Sequence, residues 1–293
     1  MSSPLLTRIA AEHAVALAAQ SVSLKDSAHR RDALKRLLDR GLPTTRDENW
    51  RYANLRSLEK ASFLPGNAAA AVNATALPAR LEGFARFVFV DGAFAPQLSA
   101  TPGAIGGAVV TRLQGGLPTH DQAFALLNEA FASDGADIQV AATNAPVDLE
   151  VLFYSASPGA AYPRLNVQLA PNARLRLIER HVGAAANPFI NSVVRVAAAD
   201  GASFNHYRLQ EAGPTATWTD TLRATIGRDA SYHLHLLQVG ALAARSSADI
   251  QLAGPAARTR IDTVSLADAQ QVHDHMVVVE HLAAQTRTEE NFR

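Results

Sequence analysis

Pro171-Asn172-Ala173-Arg174-Leu175-Arg176-Leu177, Asp200-Gly201-Ala202-Ser203-Phe204 and Arg228-Asp229-Ala230-Ser231-Tyr232-His233-Leu234 repeat one pattern: a turn pair, an alanine, then an alternating stretch. The alanines belong to a longer series, Ala145, Ala173, Ala202, Ala230, Ala257 and Ala284, spaced 28, 29, 28, 27 and 27 residues apart. After the turn, Val147/Leu149/Val151, Leu175/Leu177, Phe204 and Tyr232/Leu234/Leu236 recur at the period of a strand with one buried face. Before it, Leu165/Val167/Leu169, Val194/Val196/Ala198 and Leu222/Ala224/Ile226 sit eight, six and four residues ahead of their alanine. The next copy, Ile250 and Leu252, slips by one residue, and the copies after it are weaker. A period between about 20 and 50 residues marks a stacked array, because one unit cannot bury its apolar face until a neighbour covers it. Strands fill each unit, and about 28 residues is short of the roughly 40 a propeller blade needs. The expected fold is therefore mainly β, a right-handed parallel β-helix; the competing reading is a β-sandwich with regular turns.

Working outward, Leu5, Leu6, Ile9, His13 and Leu17, then Leu34, Leu37 and Leu38, fall near helical spacing before a stop at Gly41-Leu42-Pro43. Thr45 with Glu48 fits a capping box for a third helix carrying Trp50, Leu55 and Leu58. Asp47, Glu48 and Arg51 read as its solvated face. Residues 65–78 are mostly Ala, Asn, Pro and Gly without periodicity, and read as a linker. Phe87-Val88-Phe89-Val90 and Ala93-Phe94 flank Asp91-Gly92, the dipeptide of a tight primed hairpin turn. Phe124, Leu127 and Phe131 predict a helix from about Asp121 to Phe131. The chain thus divides into a helical region at 1–64, a linker at 65–83, a small α/β region at 84–134 and the β-helix core at 135–293, ending within a coil.

Lys plus Arg and Asp plus Glu balance at 27 each, and the pI near 7.2 lacks the basic excess of a nucleic-acid binder. With no cysteine, neither a disulfide nor a thiolate-held zinc or iron–sulfur cluster is available to this chain alone. Arg8, Glu12 and His13 interrupt the start, so no secretion signal is read. No run reaches the roughly 18 apolar residues of a membrane helix, which together predicts a soluble, cytoplasmic protein with no membrane partner.

The motifs of nucleotide loops, nucleophile elbows, His-Glu-x-x-His zinc sites and calcium loops are absent. Histidines remain: His233 with His235, and His273 with His275 followed by Glu280 and His281. In a strand, residues i and i+2 share a face, so each pair could offer two imidazoles to one metal. His273, His275 and Glu280 also resemble half of a cupin metal motif, which makes a small metalloenzyme the alternative function. The glycines flanking that motif and its second half are missing, and the preferred reading puts these histidines on an outer face or subunit contact of the solenoid. No catalytic, cofactor-binding or metal-binding residue is assigned.

Three stretches carry a family resemblance. Pro43-Thr44-Thr45-Arg46-Asp47-Glu48-Asn49-Trp50-Arg51-Tyr52 resembles the amino-terminal signature of the SufB/SufD family of iron–sulfur cluster assembly proteins. Ala125-Leu126-Leu127-Asn128-Glu129-Ala130-Phe131 with Asp134-Gly135-Ala136 resembles the entry into its β-helix. Glu179-Arg180-His181, His206-Tyr207-Arg208-Leu209-Gln210 and Val272-His273-Asp274-His275 through His281, with Thr286 and Phe292, resemble its core coils. The resemblance implies a non-enzymatic scaffold that pairs with a SufB-like partner and works with the SufC ATPase, the cluster forming transiently in the complex. A homodimer through the β-helix is a further association it allows. The family's pattern continues to a Cys-Ser-His-Gly-like motif and a carboxy-terminal helical domain, whereas this sequence stops at Arg293, so no ligand residues carry over. A last coil without a successor is expected to expose Val277, Val279 and Phe292 more than Val167 and Leu175, and to favour self-association.

Overall fold

The computed structural model describes residues 3–19, 24–51, 55–67, 72–113, 115–117, 122–183 and 185–293. Among them are three α-helices, α1 (Pro4–Ala19), α2 (Leu24–Arg40) and α3 (Ala123–Phe131). The first strands are β1 (Ala85–Val90), β2 (Ala93–Phe94), β3 (Gly103–Ile105), β4 (Ala108–Arg112), β5 (Ala136–Val140), β6 (Val147–Ser155), β7 (Ala160–Ala161) and β8 (Arg164–Leu169). The coils continue through β9 (Arg174–Gly183), β10 (Phe189–Ala198), β11 (Ser203–Glu211), β12 (Thr217–Ile226), β13 (Ser231–Gln238) and β14 (Ala243–Leu252). They end with β15 (Arg258–Ser265), β16 (Val272–His281) and β17 (Arg287–Phe292).

Apart from the two-residue β7, the chain from β5 onward alternates between two sheets, so each coil adds one long strand to each. One sheet runs β17-β15-β13-β11-β9-β6-β1-β2 and the other β16-β14-β12-β10-β8-β5-β4-β3, with β7 beside β10. Every ladder between coils is parallel, as a solenoid requires and an antiparallel sandwich does not provide. Leu175 pairs with Phe204, Phe204 with Tyr232 and Tyr232 with Thr259, which reproduces the sequence period.

The alanine column has a local cause. Asn172, Gly201, Asp229, Ala256 and Gln285 all adopt positive φ, between 54° and 69°, and each immediately precedes a column residue. Asn, Asp and Gly tolerate that left-handed turn best, which is why they mark the clearer copies. Ala173, Ala202, Ala230 and Ala257 are buried at the bend, while Ala145 is exposed. Ala284 is not the sixth member: Arg258 pairs with Arg287, so Thr286 follows Ala257 in the column. The one-residue slip at Ile250 and Leu252 is absorbed in the bend, where four residues separate Leu252 from Ala257 and three separate Ile226 from Ala230.

The inward residues of both sheets form one apolar core, including Leu149, Val167, Leu177, Val196, Phe204, Leu222, Ile250 and Ile261. Val277 and Val279 are only partly buried and Phe292 is 48% exposed, against full burial of Val167 and Leu175. The predicted hairpin is present, with Asp91 and Gly92 at positive φ, and β1 extends the solenoid sheet by pairing parallel with β6.

The helices build a second core against the solenoid's flank, where Leu6, Ile9, Leu37 and Phe131 meet Phe63, Tyr162 and Phe189. The Tyr162 hydroxyl donates to the Phe63 carbonyl at 2.7 Å. Helix α3 begins at Ala123, and Asp121 lies outside the described residues. The expected third helix is instead two short 3-10 turns, Glu48–Trp50 and Arg56–Glu59. Asp47 rather than Thr45 occupies the position before the first turn, and its Oδ2 accepts from the Thr44 amide and hydroxyl instead of capping the turn's own amides. Tertiary packing overrides the helical pattern, because Trp50 stacks on Phe124 with centroids 5.2 Å apart and lies under the Arg245 guanidinium on the solenoid face.

Candidate functional site

The inward phase of the central strands begins apolar and ends polar. In β9 it runs Leu175, Leu177, Glu179, His181; in β11 Phe204, His206, Arg208, Gln210; in β13 Tyr232, Leu234, Leu236, Gln238. The register stacks Glu179 with Arg208, and His181 with Gln210 and Gln238. On the facing sheet Ser192, Asp220, Ser246 and His275 are successive partners. One side of the solenoid interior is therefore an apolar core and the other a polar lane along its axis.

At the centre Arg208 bridges two buried carboxylates. Its Nε and Nη2 donate to Glu179 at 2.9 and 2.8 Å, and Nη1 and Nη2 to Asp220 at 2.6 and 2.8 Å. Both forks are bidentate, the geometry that lets a guanidinium replace the hydration of a carboxylate. The Ser246 hydroxyl donates to Asp220 at 3.1 Å, and His181 Nε2 lies 2.5 Å from Glu179 Oε1. His206 Nε2 lies 2.9 Å from Glu179 Oε2, and its Nδ1 3.1 Å from the Tyr232 hydroxyl. The network assigns the Nε2–H tautomer to His206, donating to Glu179 and accepting from Tyr232.

Burial favours the neutral form of Glu179, but the Arg208 charge and the histidine hydrogen bonds outweigh it and hold the carboxyl well below its ordinary range. For Arg208, burial is likewise overcome by Asp220 and Glu179, so the guanidinium stays charged. Burial lowers His206 and raises Tyr232, consistent with a neutral imidazole accepting from a neutral phenol. Farther along the lane, His181 Nδ1, Trp218 Nε1, Gln210 Nε2 and both Gln238 amide atoms are buried without a hydrogen-bond partner among the described residues. The ion network is fully connected, while its neighbours retain polar capacity facing the interior.

Outside the same coils, a cleft of about 670 Å³ lies between the amino-terminal segment and the nine-stranded sheet. Trp50, Phe124, Arg245, Asp249, Met276 and Glu280 line it. Arg245 sits with its guanidinium 4.0 Å from the Trp50 ring centroid and bonds Asp274 and the Asn49 carbonyl. It is the clasp that fixes the amino-terminal segment on the solenoid.

The cupin-like trio does not assemble. His273 and His275 share the inward phase of β16 with Val277 and Val279, while Glu280 is outward and bonds Gln251. His273 Nε2 donates to the Gly240 carbonyl and His275 Nε2 contacts the Ser265 hydroxyl at 2.6 Å. These two therefore belong to the lane, not to an outer face. A parallel solenoid also replaces the antiparallel barrel that the metalloenzyme alternative requires. His233 and His235 do lie on the outer face, where they meet Asp262.

The architecture is a two-sheet parallel solenoid with a buried ion network in its interior and a helical region packed on one flank. Residues 152–293, spanning the stacked coils, match the SufBD core domain of the SUF system of iron–sulfur cluster assembly. The chain is 28% identical over 268 residues to the iron–sulfur cluster assembly protein SufD of Escherichia coli, covering 88% of this chain and 63% of the relative. It is 26% identical over 265 residues to an iron–sulfur cluster assembly SufBD family protein of Synechocystis, covering 80% and 58%. Over residues 152–293 the chain is similar to the SufBD core, and it spans less than two thirds of the length of either relative. Among the described residues, no helix is long and apolar enough to cross a membrane.

Proposed function

We propose that this chain serves as a non-enzymatic, cytoplasmic scaffold subunit of a SUF-type complex, pairing with a SufB-like protein and working with a SufC-like ATPase. The observation that carries this reading is the coincidence of the SufBD core match, residues 152–293, with the stacked coils themselves. The iron–sulfur cluster is cargo in this scheme, assembled transiently in the complex. The interlocked ion network supports the same reading, because bidentate bonds from Arg208 to both Glu179 and Asp220 tie adjacent coils and the two sheets together in one arrangement. ATP hydrolysis falls to the SufC-like partner, and this chain supplies a stiff surface.

Co-expression of the tagged chain with SufB-like and SufC-like proteins of the same organism tests the assignment. Both partners are expected to remain with the tagged chain through size-exclusion chromatography in fixed ratio. Elution of the chain free of both would overturn the proposal.

A further inference from the structure

The outer face of the eight-stranded sheet brings together three groups that the scaffold reading does not use. His233 and His235 are alternate residues of β13, and the parallel register sets Asp262 of β15 directly beside His235. His233 Nε2 lies 2.6 Å and His235 Nδ1 3.8 Å from the same oxygen, Asp262 Oδ2. One ligand atom from each of the three falls within 4.8 Å of the others, the only such grouping among the described residues. We propose that His233, His235 and Asp262 form a binding site for a divalent first-row transition-metal ion.

The argument rests on donor chemistry and on how the donors are held. Two imidazoles and one carboxylate suit zinc, cobalt, nickel or iron(II) rather than magnesium or calcium, which prefer all-oxygen sets. Bonds of about 2.0–2.2 Å place neighbouring donors roughly 3–3.5 Å apart, so only small side-chain rotations are needed from the observed separations. The His235 ring is stacked on Tyr207 of the adjacent coil, with centroids 4.4 Å apart and planes within 6°. The His233 and His235 rings lie against each other at 3.6 Å. Asp262 is oriented from the other side: Asn291 donates to Oδ1 at 2.8 Å and Arg260 Nε to both oxygens at 3.2 and 3.0 Å. Outer hydrogen bonds of this kind direct a carboxylate ligand toward its metal.

Side-chain exposures of 26%, 30% and 24% leave the three donors partly sheltered while keeping a solvent-facing side for further ligands. Arg260 is the opposing influence, because its charge competes for the carboxylate. Three protein donors beside that cation describe a site that exchanges its metal rather than one that locks it in.

Titration of the full chain with cobalt(II), followed by calorimetry and by the visible absorption of the ion, reads the site directly. One equivalent is expected to bind, with zinc(II) displacing it. His235→Ala and Asp262→Asn are each expected to weaken binding more than tenfold, and Arg260→Gln to leave it intact or strengthen it. His281→Ala, remote from the cluster, serves as the control and is expected to titrate like the parent. Circular dichroism of each variant separates lost ligation from lost folding, and Asp262→Asn preserves side-chain shape if His235→Ala disturbs the sheet. Absence of a saturable equivalent in the parent chain, or equal binding by parent and Asp262→Asn, would overturn the site and leave an ion-pair ladder among His233, Asp262 and Arg260.

Discussion

Arg208→Met is expected to lower the stability of the chain by about 3–5 kcal/mol, the cost of leaving buried charges without their partner. Among the described residues Arg208 is the one cation bonded to both Glu179 and Asp220, and all three side chains are buried. Methionine fills comparable volume, so the loss measures the stranded carboxylates rather than a cavity. Urea denaturation of parent and variant gives the difference. Adding Glu179→Gln and Asp220→Asn to Arg208→Met is expected to recover part of it, because the uncompensated charge is then gone. A loss under about 1 kcal/mol for Arg208→Met, the scale of an exposed pair, would show that these side chains are solvated.

The second large effect is a pH dependence centred on His275. Burial, with His273 adding to it, lowers the imidazole from 6.5 to about 4. Below pH 6.5 the unfolded chain takes up a proton that the folded chain refuses, so stability falls as pH falls, until the folded group also titrates near 4. A shift of that size corresponds to at most about 3 kcal/mol across the window. His275→Gln, neutral throughout and still able to meet the Ser265 hydroxyl, is expected to flatten this part of the profile. Parallel acid limbs for parent and variant between pH 6.5 and 4 would mean that His275 is solvated in the folded chain.

The period, the two strands per coil and most of the apolar core were legible because Leu175/Leu177 and their counterparts repeat with an unchanged phase. The polar lane was written in that same phase: Glu179 and His181 continue from Leu177, and Arg208 and Gln210 from Phe204 and His206. It is obscured because a search for buried faces by hydrophobicity stops at the first inward charge. His273 and His275 were open to the same reasoning, since the inward Val277 and Val279 fix their side of the strand. The pairing of Arg208 with Asp220 was not legible, because it depends on how two sheets face one another across the interior. Asp262 likewise joins His233 and His235 only through inter-coil register, which the drift from Ala284 to Thr286 shows can shift by two residues.

That register underlies both the ion network and the histidine cluster, and it can be measured by cross-linking because the chain has no cysteine of its own. Thr225 and Gln251 are direct partners on the outer face of adjacent coils, and Gln251 in turn pairs with Glu280 one coil farther on. Neighbouring strands are about 4.8 Å apart, within disulfide reach, whereas two strand spacings exceed the limit of about 7 Å. Under mild oxidation, Thr225→Cys with Gln251→Cys is predicted to form an intramolecular disulfide, and Thr225→Cys with Glu280→Cys to remain reduced. Cross-linking of the second pair in preference to the first would contradict the stacking of the coils, and with it the account built upon them.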